Sequence, residues 1–474
     1  MEKVKVLNHT FNNMSPNRNI HFELSERIIL LRVFDNFFII LGLIVIGELF
    51  QFDYFLLSAN NWYWIFVLLS YFNVFGTVLE LYNLQKASRR EQIFQNVVVV
   101  CSLTTLVFLL TPFFTPVLPD NRLQIVYFYL AVTLSVVGWR FCYIYFISSP
   151  RFYKNIVLVG TPDEIQFIGE AIKREAPSFR ISGVLLLDTS IAKLNGYKVI
   201  NPQRFFETIG ERKVSEIIIA SNEREDFPVG LTDRLILLLE KGIPIREYTQ
   251  VYEELTSRVP LQYVGKDFYK YFPFSRSNQN QLYLFFSRVI DVLLSIIGLL
   301  LFLIWLPIVL VGNFLGNKGP LFYVQERVGK GGELFKIYKL RSMVVDAEKS
   351  GAVWAQQNDP RITPFGQFLR KSRLDEMPQF INVLKGEMSM IGPRPERPVF
   401  VKNLAKSIPF YEVRHMIKPG VTGWAQVSTE YGASEEDSLE KLQYDLYYIK
   451  HRSAFMDINI IFKTLSTILF YRGR

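Results

Sequence analysis

The stretch "VLLSIIGLLLFLIWLPIVLV", residues 292–311, decides on which side of a membrane the last third of the chain lies. It is apolar or small throughout, and a helix of about 20 such residues is long enough to cross a bilayer. Pro307 lies inside it, where a missing amide donor and a ring clash disrupt a helix. Arg288 and Asp291 precede it at an expected interface. Local physical chemistry therefore leaves two alternatives open, a fifth span or a bent segment that returns to the same face.

Four further apolar runs of near bilayer-crossing length precede residue 150, at 33–50, 62–82, 93–118 and 124–147. Lys and Arg accumulate in cytoplasmic loops. The loop 51–61 has neither, whereas basic residues surround the other ends of the runs: Lys3, Lys5, Arg18, Arg27, Lys86, Arg89 and Arg90. The sequence therefore predicts a four-helix transmembrane domain over 1–150, with residue 150 in the cytoplasm.

The middle of the chain, residues 151–275, alternates short β-branched runs with helical patterns, for example "NIVLVG" followed by "DEIQFIGEAIKRE". This alternation predicts a cytosolic Rossmann-like α/β domain with a parallel sheet. The first strand ends in Gly160-Thr161-Pro162, without the second glycine that lets a backbone approach a pyrophosphate. A structural or regulatory role is therefore favoured over a bound dinucleotide.

Charge and cysteine content narrow the class of protein. The formal net charge of +9 suits an anionic lipid bilayer surface or phosphate-bearing ligands. Nucleic acid is a weaker alternative and is not expected as a partner. Cys101 and Cys142, the two cysteines, both fall in predicted membrane helices, so a disulfide framework or a cysteine metal site has no support.

The segment "RKSRLDEMPQFINVLKGEMSMIGPRP", residues 370–395, sets two adjacent acids between arginines. Pro378 predicts a helix that starts here, with Asp375 and Glu376 at its N-terminal boundary. In isolation this pattern is typical of a capped helix start. With Arg370 and Arg394 nearby it also suits phosphate chemistry, in which a carboxylate acts as nucleophile, base or Mg²⁺ ligand.

Four motifs in a fixed order carry a resemblance to a known family: "KIYKLRSM", "FLRKSRLDEMPQFINVLKGEMSMIGPRP", "KPGVTGWAQV" and "YDLYYIKH". They resemble the bacterial sugar transferase family, the polyprenyl-phosphate hexose-1-phosphate transferases. The resemblance covers about 283–470, and the four helices and Rossmann-like domain in front of it resemble the large members of that family.

The resemblance implies an enzyme of the bacterial inner (cytoplasmic) membrane, with its catalytic domain facing the cytoplasm. It would transfer a sugar-1-phosphate from a nucleotide diphosphate sugar, expected to be a UDP-sugar, to undecaprenyl phosphate, and so initiate exopolysaccharide, capsule, O-antigen or glycan synthesis. By this resemblance Asp375 attacks the sugar-linked phosphate, UMP leaves, and a phosphosugar-aspartyl intermediate forms, while Glu376 helps to hold Mg²⁺. Substrate or phosphate binding is implied for Lys339, Arg341, Arg361, Arg370, Arg394 and Asp445.

The same resemblance implies that the fifth run is a re-entrant membrane helix with a bend at Pro307, because nucleotide sugars are cytoplasmic. It also implies dimerisation through the front portion. The sequence departs from the common family pattern at Leu306-Pro307, where Ser-Pro is usual, and at 428–432, where an expected arginine is absent.

Two other classes of protein have different sequence requirements. A membrane-anchored nucleotide-sugar dehydratase or epimerase needs a glycine-rich dinucleotide loop and a Tyr-x-x-x-Lys pair, and neither occurs in the expected place. A catalytically silent scaffold of a polysaccharide assembly complex would lack the acid pair or its arginines, which are present. The sequence thus predicts a membrane protein with helical and α/β parts. Its three domains are the transmembrane bundle, the Rossmann-like domain, and a re-entrant helix with a mostly helical catalytic domain over 280–474.

Overall fold

A computed structural model of the chain shows two compact units, Met1–Thr256 and Ser257–Arg474. Lys3, Lys5, Arg18, Lys86, Arg89 and positions 430–432 lie outside the described residues. The division into three domains stays a prediction. The structure describes residues 24–50, 54–55, 61–79, 81–82, 90–146, 154–176, 179–187, 194–221, 230–261, 276–347, 351, 359–429 and 434–469.

The first unit begins with four apolar helices: α1 (Leu24–Phe50), α2 (Tyr63–Val78), α3 (Arg90–Leu110) and α4 (Leu123–Phe146). By length and composition α1, α3 and α4 can each cross a membrane, whereas α2 is shorter, with 16 residues. The third helix ends before the predicted limit of its run at 118, because Pro112 cannot continue a helix. These helices confirm the prediction of a membrane protein with an apolar helical front.

The helices of this unit enclose charged side chains. Arg140 of α4 donates two hydrogen bonds to the Asp35 carboxylate of α1, at 3.0 and 2.5 Å, and both side chains are fully buried. The guanidinium of Arg32 lies 4.6 Å from the ring centre of Tyr82. Removal of one member of a buried ion pair leaves an uncompensated charge, so this pair specifies which faces of α1 and α4 meet.

The rest of the first unit is a parallel α/β layer, as the alternating pattern predicted. Its four strands pair in the order β2-β1-β3-β4, all parallel. A Cβ at Gly160 would overlap the carbonyl oxygen of Ala220 on the neighbouring strand, so this glycine is required for strand packing. The elements are β1 (Lys154–Gly160), α5 (Pro162–Glu175), β2 (Phe179–Leu186), α6 (Phe205–Glu211), β3 (Glu216–Ala220), α7 (Leu231–Glu240), β4 (Ile245–Glu247) and α8 (Tyr248–Thr256).

The second unit is mostly helical and contains two small sheets, an antiparallel hairpin of β5 and β6 and a parallel pair of β7 and β8. Local signals mark its helix ends, such as the capping box in which Ser434 and Asp437 satisfy each other's backbone amides at the start of α14. The elements are α9 (Gln281–Gly316), β5 (Phe322–Val328), β6 (Leu334–Leu340), α10 (Pro364–Lys371), α11 (Gln379–Lys385), β7 (Ser389–Ile391), α12 (Pro398–Ser407), β8 (Gly420–Thr422), α13 (Trp424–Ser428), α14 (Glu435–His451) and α15 (Ala454–Leu469).

The long helix α9 packs against the rest of the second unit along most of its length. Near its start, Asp291 accepts hydrogen bonds from the Ser389 hydroxyl at 3.0 Å and the Met390 amide at 2.8 Å. Further along, a Cβ at Gly298 would overlap the Phe380 ring, and one at Gly312 would overlap the ring of Phe365. One stripe of α9 therefore faces the folded unit, while its other residues are exposed and apolar: Leu282, Phe285, Phe286, Leu293, Ile297, Leu300, Ile304, Ile308, Val311, Phe314 and Leu315.

The helix continues through Pro307 without a break, from Gln281 to Gly316. The prediction that Pro307 breaks the helix is therefore wrong, because the turns on both sides of the proline keep the helical conformation. A bend at Pro307 stays a prediction.

Candidate active site

Asp375 and Glu376 lie in a short 3-10 turn, Leu374–Glu376, between α10 and α11. Arg373 precedes them in the left-handed conformation, with φ 57°, which costs a residue with a side chain about 1–2 kcal/mol. Helix α11 begins only after Pro378, so the acids lie before the helix and not in its first turn. This turn, and not a helical face, therefore aims the two adjacent carboxylates.

The Glu376 carboxylate is surrounded by cations. Its Oε1 accepts a hydrogen bond from Arg394 at 2.6 Å and another from the Lys339 Nζ at 3.4 Å, and its Oε2 lies 3.7 Å from Arg373. Burial alone would raise the pKa of Glu376, but Arg394, Lys339 and Arg373 together hold it well below its usual range. Glu376 is therefore a fixed anion that anchors the surrounding basic groups.

Asp375 has the opposite electrostatic character. Burial, followed by the negative charge of Glu376, raises the pKa of Asp375 from 3.8 to about 6, although Lys339, Arg370 and Arg373 oppose the rise. Within the described residues no group donates a hydrogen bond to its carboxylate. An acid with a pKa just below neutrality is mostly ionised at pH 7 and retains basicity, which suits a nucleophile.

Three of the predicted phosphate ligands are brought to this acid pair by different elements. Lys339 lies on β6, and burial lowers its pKa to about 8, although Glu376 opposes the change. Arg394 follows β7, and Arg370 lies at the end of α10, where its Nε donates to the Ser342 hydroxyl at 2.9 Å. The charge of Arg370 also acts on the Asp375 carboxylate. Together with Arg373 these side chains exceed the two carboxylates in charge, as a site for a diphosphate requires.

Arg341 and Arg361 have other partners. The Arg341 guanidinium donates to the backbone carbonyls of Pro320 at 2.7 Å, Met343 at 3.4 Å and Asn317, and so holds the chain that leaves α9. Arg361 forms a two-pronged ion pair with Asp359, at 2.8 and 2.6 Å. No described hydrogen bond or ion pair links either guanidinium to Asp375 or Glu376. Phosphate binding by these two arginines therefore stays a prediction.

Asp445 lies one step away from the acid pair. It is almost fully buried on α14, and its carboxylate accepts a hydrogen bond from Arg414 at 2.7 Å. Burial raises the pKa of Asp445 to about 6, and Arg414 opposes the rise. The same Arg414 nitrogen donates to the backbone carbonyl of Arg394 at 3.0 Å. In the described structure Asp445 therefore contacts an arginine that holds the backbone of Arg394.

Sequence reasoning missed two arginines at this site. Arg414 is one, and the other is Arg327 of β5, which donates to the carbonyl of Pro395 at 3.1 Å. Neither lies in the four motifs that carry the family resemblance: Arg327 precedes the first of them, and Arg414 stands beside His415 before the third. Their partners in the turn that carries Arg394 are backbone carbonyls, which every residue possesses.

A divalent cation needs suitable ligands in the same place. Among the described residues no cluster of three or more His, Cys, Asp or Glu side chains could hold a metal. Mg²⁺ beside phosphate substrates commonly uses only one or two carboxylates, with substrate and water oxygens as the other ligands. The Glu376 carboxylate fits that donor set, because its Oε2 makes only the longer contact to Arg373.

These features define an enzyme class that handles phosphorylated substrates beside a membrane, with a buried acid pair and a basic cluster on a domain that packs along an apolar helix. Comparison with known proteins gives the family. The family model for bacterial sugar transferases matches residues 282–471. A shorter Bacillus subtilis relative, provisionally named an undecaprenyl-phosphate N-acetylgalactosaminyl 1-phosphate transferase, is 53% identical over 141 residues, which are 30% of this chain and 79% of that protein. The chain belongs to the bacterial sugar transferase family.

Two longer relatives carry related names. The UDP-N-acetylgalactosamine-undecaprenyl-phosphate N-acetylgalactosaminephosphotransferase of Aeromonas hydrophila is 42% identical over 252 residues, 53% of this chain and 58% of that protein. The UDP-glucose:undecaprenyl-phosphate glucose-1-phosphate transferase of Escherichia coli is 42% identical over 183 residues, 38% of this chain and 39% of that protein. The matched region therefore spans only part of these relatives.

Proposed function

We propose that the protein transfers a sugar-1-phosphate from a UDP-sugar to undecaprenyl phosphate and releases UMP. One observation carries the proposal: Asp375, with its raised pKa, lies beside Glu376, which is held by Arg394 and Lys339. The surrounding family domain and the names of the relatives support the substrate classes, because each relative is named for transfer to undecaprenyl phosphate.

In the proposed first step the Asp375 carboxylate attacks the phosphorus that bears the sugar. The bond from that phosphorus to the bridging oxygen breaks, its electron pair leaves with UMP, and an acyl phosphate joins Asp375 to the sugar phosphate. Arg370, Arg394 and Lys339 stabilise the negative charge on the transferring phosphate. In the second step an oxygen of undecaprenyl phosphate attacks the same phosphorus, the bond to Asp375 breaks, and the free carboxylate is regenerated.

Glu376 would help to hold Mg²⁺, and the bound ion would supply charge neutralisation on the donor diphosphate. The remaining chemistry belongs to the chain itself. Glu376 keeps Arg394 and Lys339 at the site through its ion pairs. Burial of Asp375 removes much of the solvent that would weaken these interactions.

We further propose that α9 is re-entrant and that the active site faces the cytoplasm at the inner membrane. A straight helix of 36 residues is about 54 Å long, so as a simple span it would place its two ends on opposite sides of a hydrocarbon core of about 30 Å. Yet Asp291 in the first half of the helix, Gly298 at its middle and Gly312 near its end all contact the same folded unit. That unit carries the charged site, which a hydrocarbon core would not accommodate, and this supports a helix whose two ends lie on the same face of the bilayer.

The test uses the full chain in lipid nanodiscs with undecaprenyl phosphate, Mg²⁺ and a panel of UDP-sugars, and it measures UMP release. Turnover with one donor is expected for the wild type and not for Asp375→Asn, with the two proteins expressed and folded equally. Turnover by Asp375→Asn at the wild-type rate would remove Asp375 as the nucleophile. Failure of the folded wild type with UDP-, GDP- and dTDP-sugars would instead favour a non-catalytic scaffold.

A further inference from the structure

The turn that carries Arg394 is held by its backbone at three successive residues. The carbonyl of Pro393 accepts from the Gly420 amide at 2.9 Å. The next carbonyl, of Arg394 itself, accepts from Arg414 at 3.0 Å, and that of Pro395 accepts from Arg327 at 3.1 Å. Two of these three donors are therefore guanidinium groups from distant parts of the chain.

Both guanidinium groups are themselves fixed. Arg414 donates to the Asp445 carboxylate at 2.7 Å and to the Tyr411 hydroxyl at 2.7 Å. Its side chain and that of Arg327 are only 8% and 14% exposed, whereas that of Arg394 is 42% exposed. Charged groups that are buried in this way persist when they are paired with an opposite charge and hydrogen-bonded, as Arg414 is to Asp445 and Arg327 is to Glu396. The two buried arginines are therefore rigid, and they support the backbone of Arg394, whose own side chain is more exposed.

Arg327 is also held by other side chains. Its guanidinium donates to the Gln325 amide oxygen at 2.8 Å and to the Glu396 carboxylate at 3.3 Å. Gln325 and Arg327 both lie on β5, whereas the partners of Arg414 lie on α14 and on the turn that precedes β8. The turn that carries Arg394 is therefore held by groups from two separate parts of the chain.

Such support has a physical purpose at this position. Arg394 shares Glu376 with Lys339 and Arg373, so the three like charges repel one another within a few ångströms. An unrestrained arginine at a partly exposed position would relieve that repulsion by turning towards solvent. Fixing the backbone of Arg394 limits this movement and keeps its guanidinium on Glu376.

We propose that Arg327 and Arg414 form an arginine clamp, a pair of positioning residues that aims the Arg394 guanidinium at Glu376 and at the substrate phosphate. Asp445 belongs to the clamp through Arg414 and acts on the reaction without touching substrate. The inference rests on the proposed function, because Arg394 is placed there as the phosphate ligand, and it names further residues on which that function depends.

The test is a set of charge-preserving variants of the full chain in nanodiscs. Arg327→Lys and Arg414→Lys keep the charge, but a lysine presents one terminal nitrogen and cannot bind a carbonyl and an anchor with the fixed geometry of a guanidinium. Each is made alone and combined with Arg394→Lys. The matched control is Arg258→Lys, because Arg258 is similarly buried, with 16% of its side chain exposed, and pairs with Glu440 at 2.8 Å.

Each clamp variant is expected to lower kcat/KM for UMP release by about tenfold or more, since small misplacements at a reacting centre have large effects. Arg258→Lys is expected to stay within about twofold of the wild type. In the Arg394→Lys background the clamp substitutions are expected to cause no further loss, because the group that they position is gone. Thermal unfolding midpoints, measured in parallel, are expected to be similar for the clamp variants and the control.

Losses that multiply in the Arg394→Lys background would show that the two arginines act on the fold and not through Arg394, and would overturn the proposal. Wild-type activity in both single variants would also overturn it. If Arg394→Lys turns over too slowly, the same cycle is read from the affinity for UDP by calorimetry. That binding cycle also separates the two hypotheses, because a wild type that releases no UMP contradicts the proposed function while the UDP cycle still decides the clamp.

Discussion

The pH dependence of the first chemical step follows from the environment of Asp375. Its pKa is raised to about 6, and since one pKa unit is about 1.4 kcal/mol, the two-unit rise disfavours ionisation by about 3 kcal/mol. Asp375 is then about 90% ionised at pH 7 and about 10% ionised at pH 5. The rate of attack by the carboxylate is expected to fall about ninefold between these two pH values.

The assay is the burst of UMP released from a UDP-sugar in the absence of undecaprenyl phosphate, followed from pH 4.5 to 8. Omitting the lipid removes its phosphate as a titrating group, so an acid limb near pH 6 belongs to the protein. Glu376→Gln supplies the matched perturbation. The negative charge of Glu376 raises the pKa of Asp375, so its removal is expected to move the acid limb to lower pH even though the burst itself slows.

The direction in which the acid limb moves in Glu376→Gln distinguishes Asp375 from other titrating groups. A limb that stays in place in Glu376→Gln would mean that another group titrates, and a limb that moves to higher pH would contradict the electrostatic account of the pair. Arg258→Lys serves as a control here as well, because it is expected to leave the limb unchanged.

Three further outcomes test other parts of the structure. Gly298→Leu is expected to lower the free energy of unfolding of the second unit by about 2 kcal/mol or more, because its side chain would overlap the Phe380 ring. The control is Gly138→Leu, because open space surrounds the position that a Cβ would take at Gly138. Equal thermal midpoints of the two variants would refute the packing of α9. Asp445→Asn is expected to destabilise the protein by about 3 kcal/mol, since it leaves the buried charge of Arg414 without its counter-ion. The same variant is expected to have a lower kcat and little change in KM for the donor. A large rise in KM at constant kcat would show that Asp445 binds substrate. EDTA is expected to stop UMP release and Mg²⁺ to restore it, and full activity in EDTA would refute the metal role given to Glu376.

The helices and the parallel sheet could be predicted from the sequence wherever one local pattern determines the element. Apolar runs of sufficient length predict helices such as α1 and α9, and the alternation of β-branched and amphipathic segments predicts the parallel sheet. The helix ends were less accessible. Pro112 ends α3 before its apolar run does, while Pro307 does not end α9. A proline can be accommodated within a helix when packing of the flanking turns outweighs the lost hydrogen bond.

The acid pair was visible in the sequence because Asp375 and Glu376 are adjacent and lie among basic residues. The partners of those basic residues were not. Arg341 contacts backbone carbonyls and Arg361 contacts Asp359, although phosphate binding was predicted for both. A motif specifies the residue type at a position. The tertiary fold determines which acceptor a guanidinium meets, and any backbone carbonyl can be that acceptor.

Arg414 shows the same limit from the opposite direction. It lies in no pattern that marks a functional residue, yet its guanidinium joins Asp445 to the carbonyl of Arg394. The connection spans a helix, a turn and a loop that are far apart in the chain. Only the packing of α14 against the turn that precedes β8 brings these groups together.

The central claim is a covalent phosphosugar on Asp375, and mass spectrometry of the quenched protein tests it most directly. The wild type is mixed with its UDP-sugar and Mg²⁺ without lipid, quenched, digested and analysed beside Asp375→Asn. The account predicts that the mass of one sugar phosphate is added to the peptide that contains Asp375, in amounts matching the UMP released and lost when undecaprenyl phosphate is supplied. UMP release without this adduct, or lipid product formed by Asp375→Asn at the wild-type rate, would contradict the account.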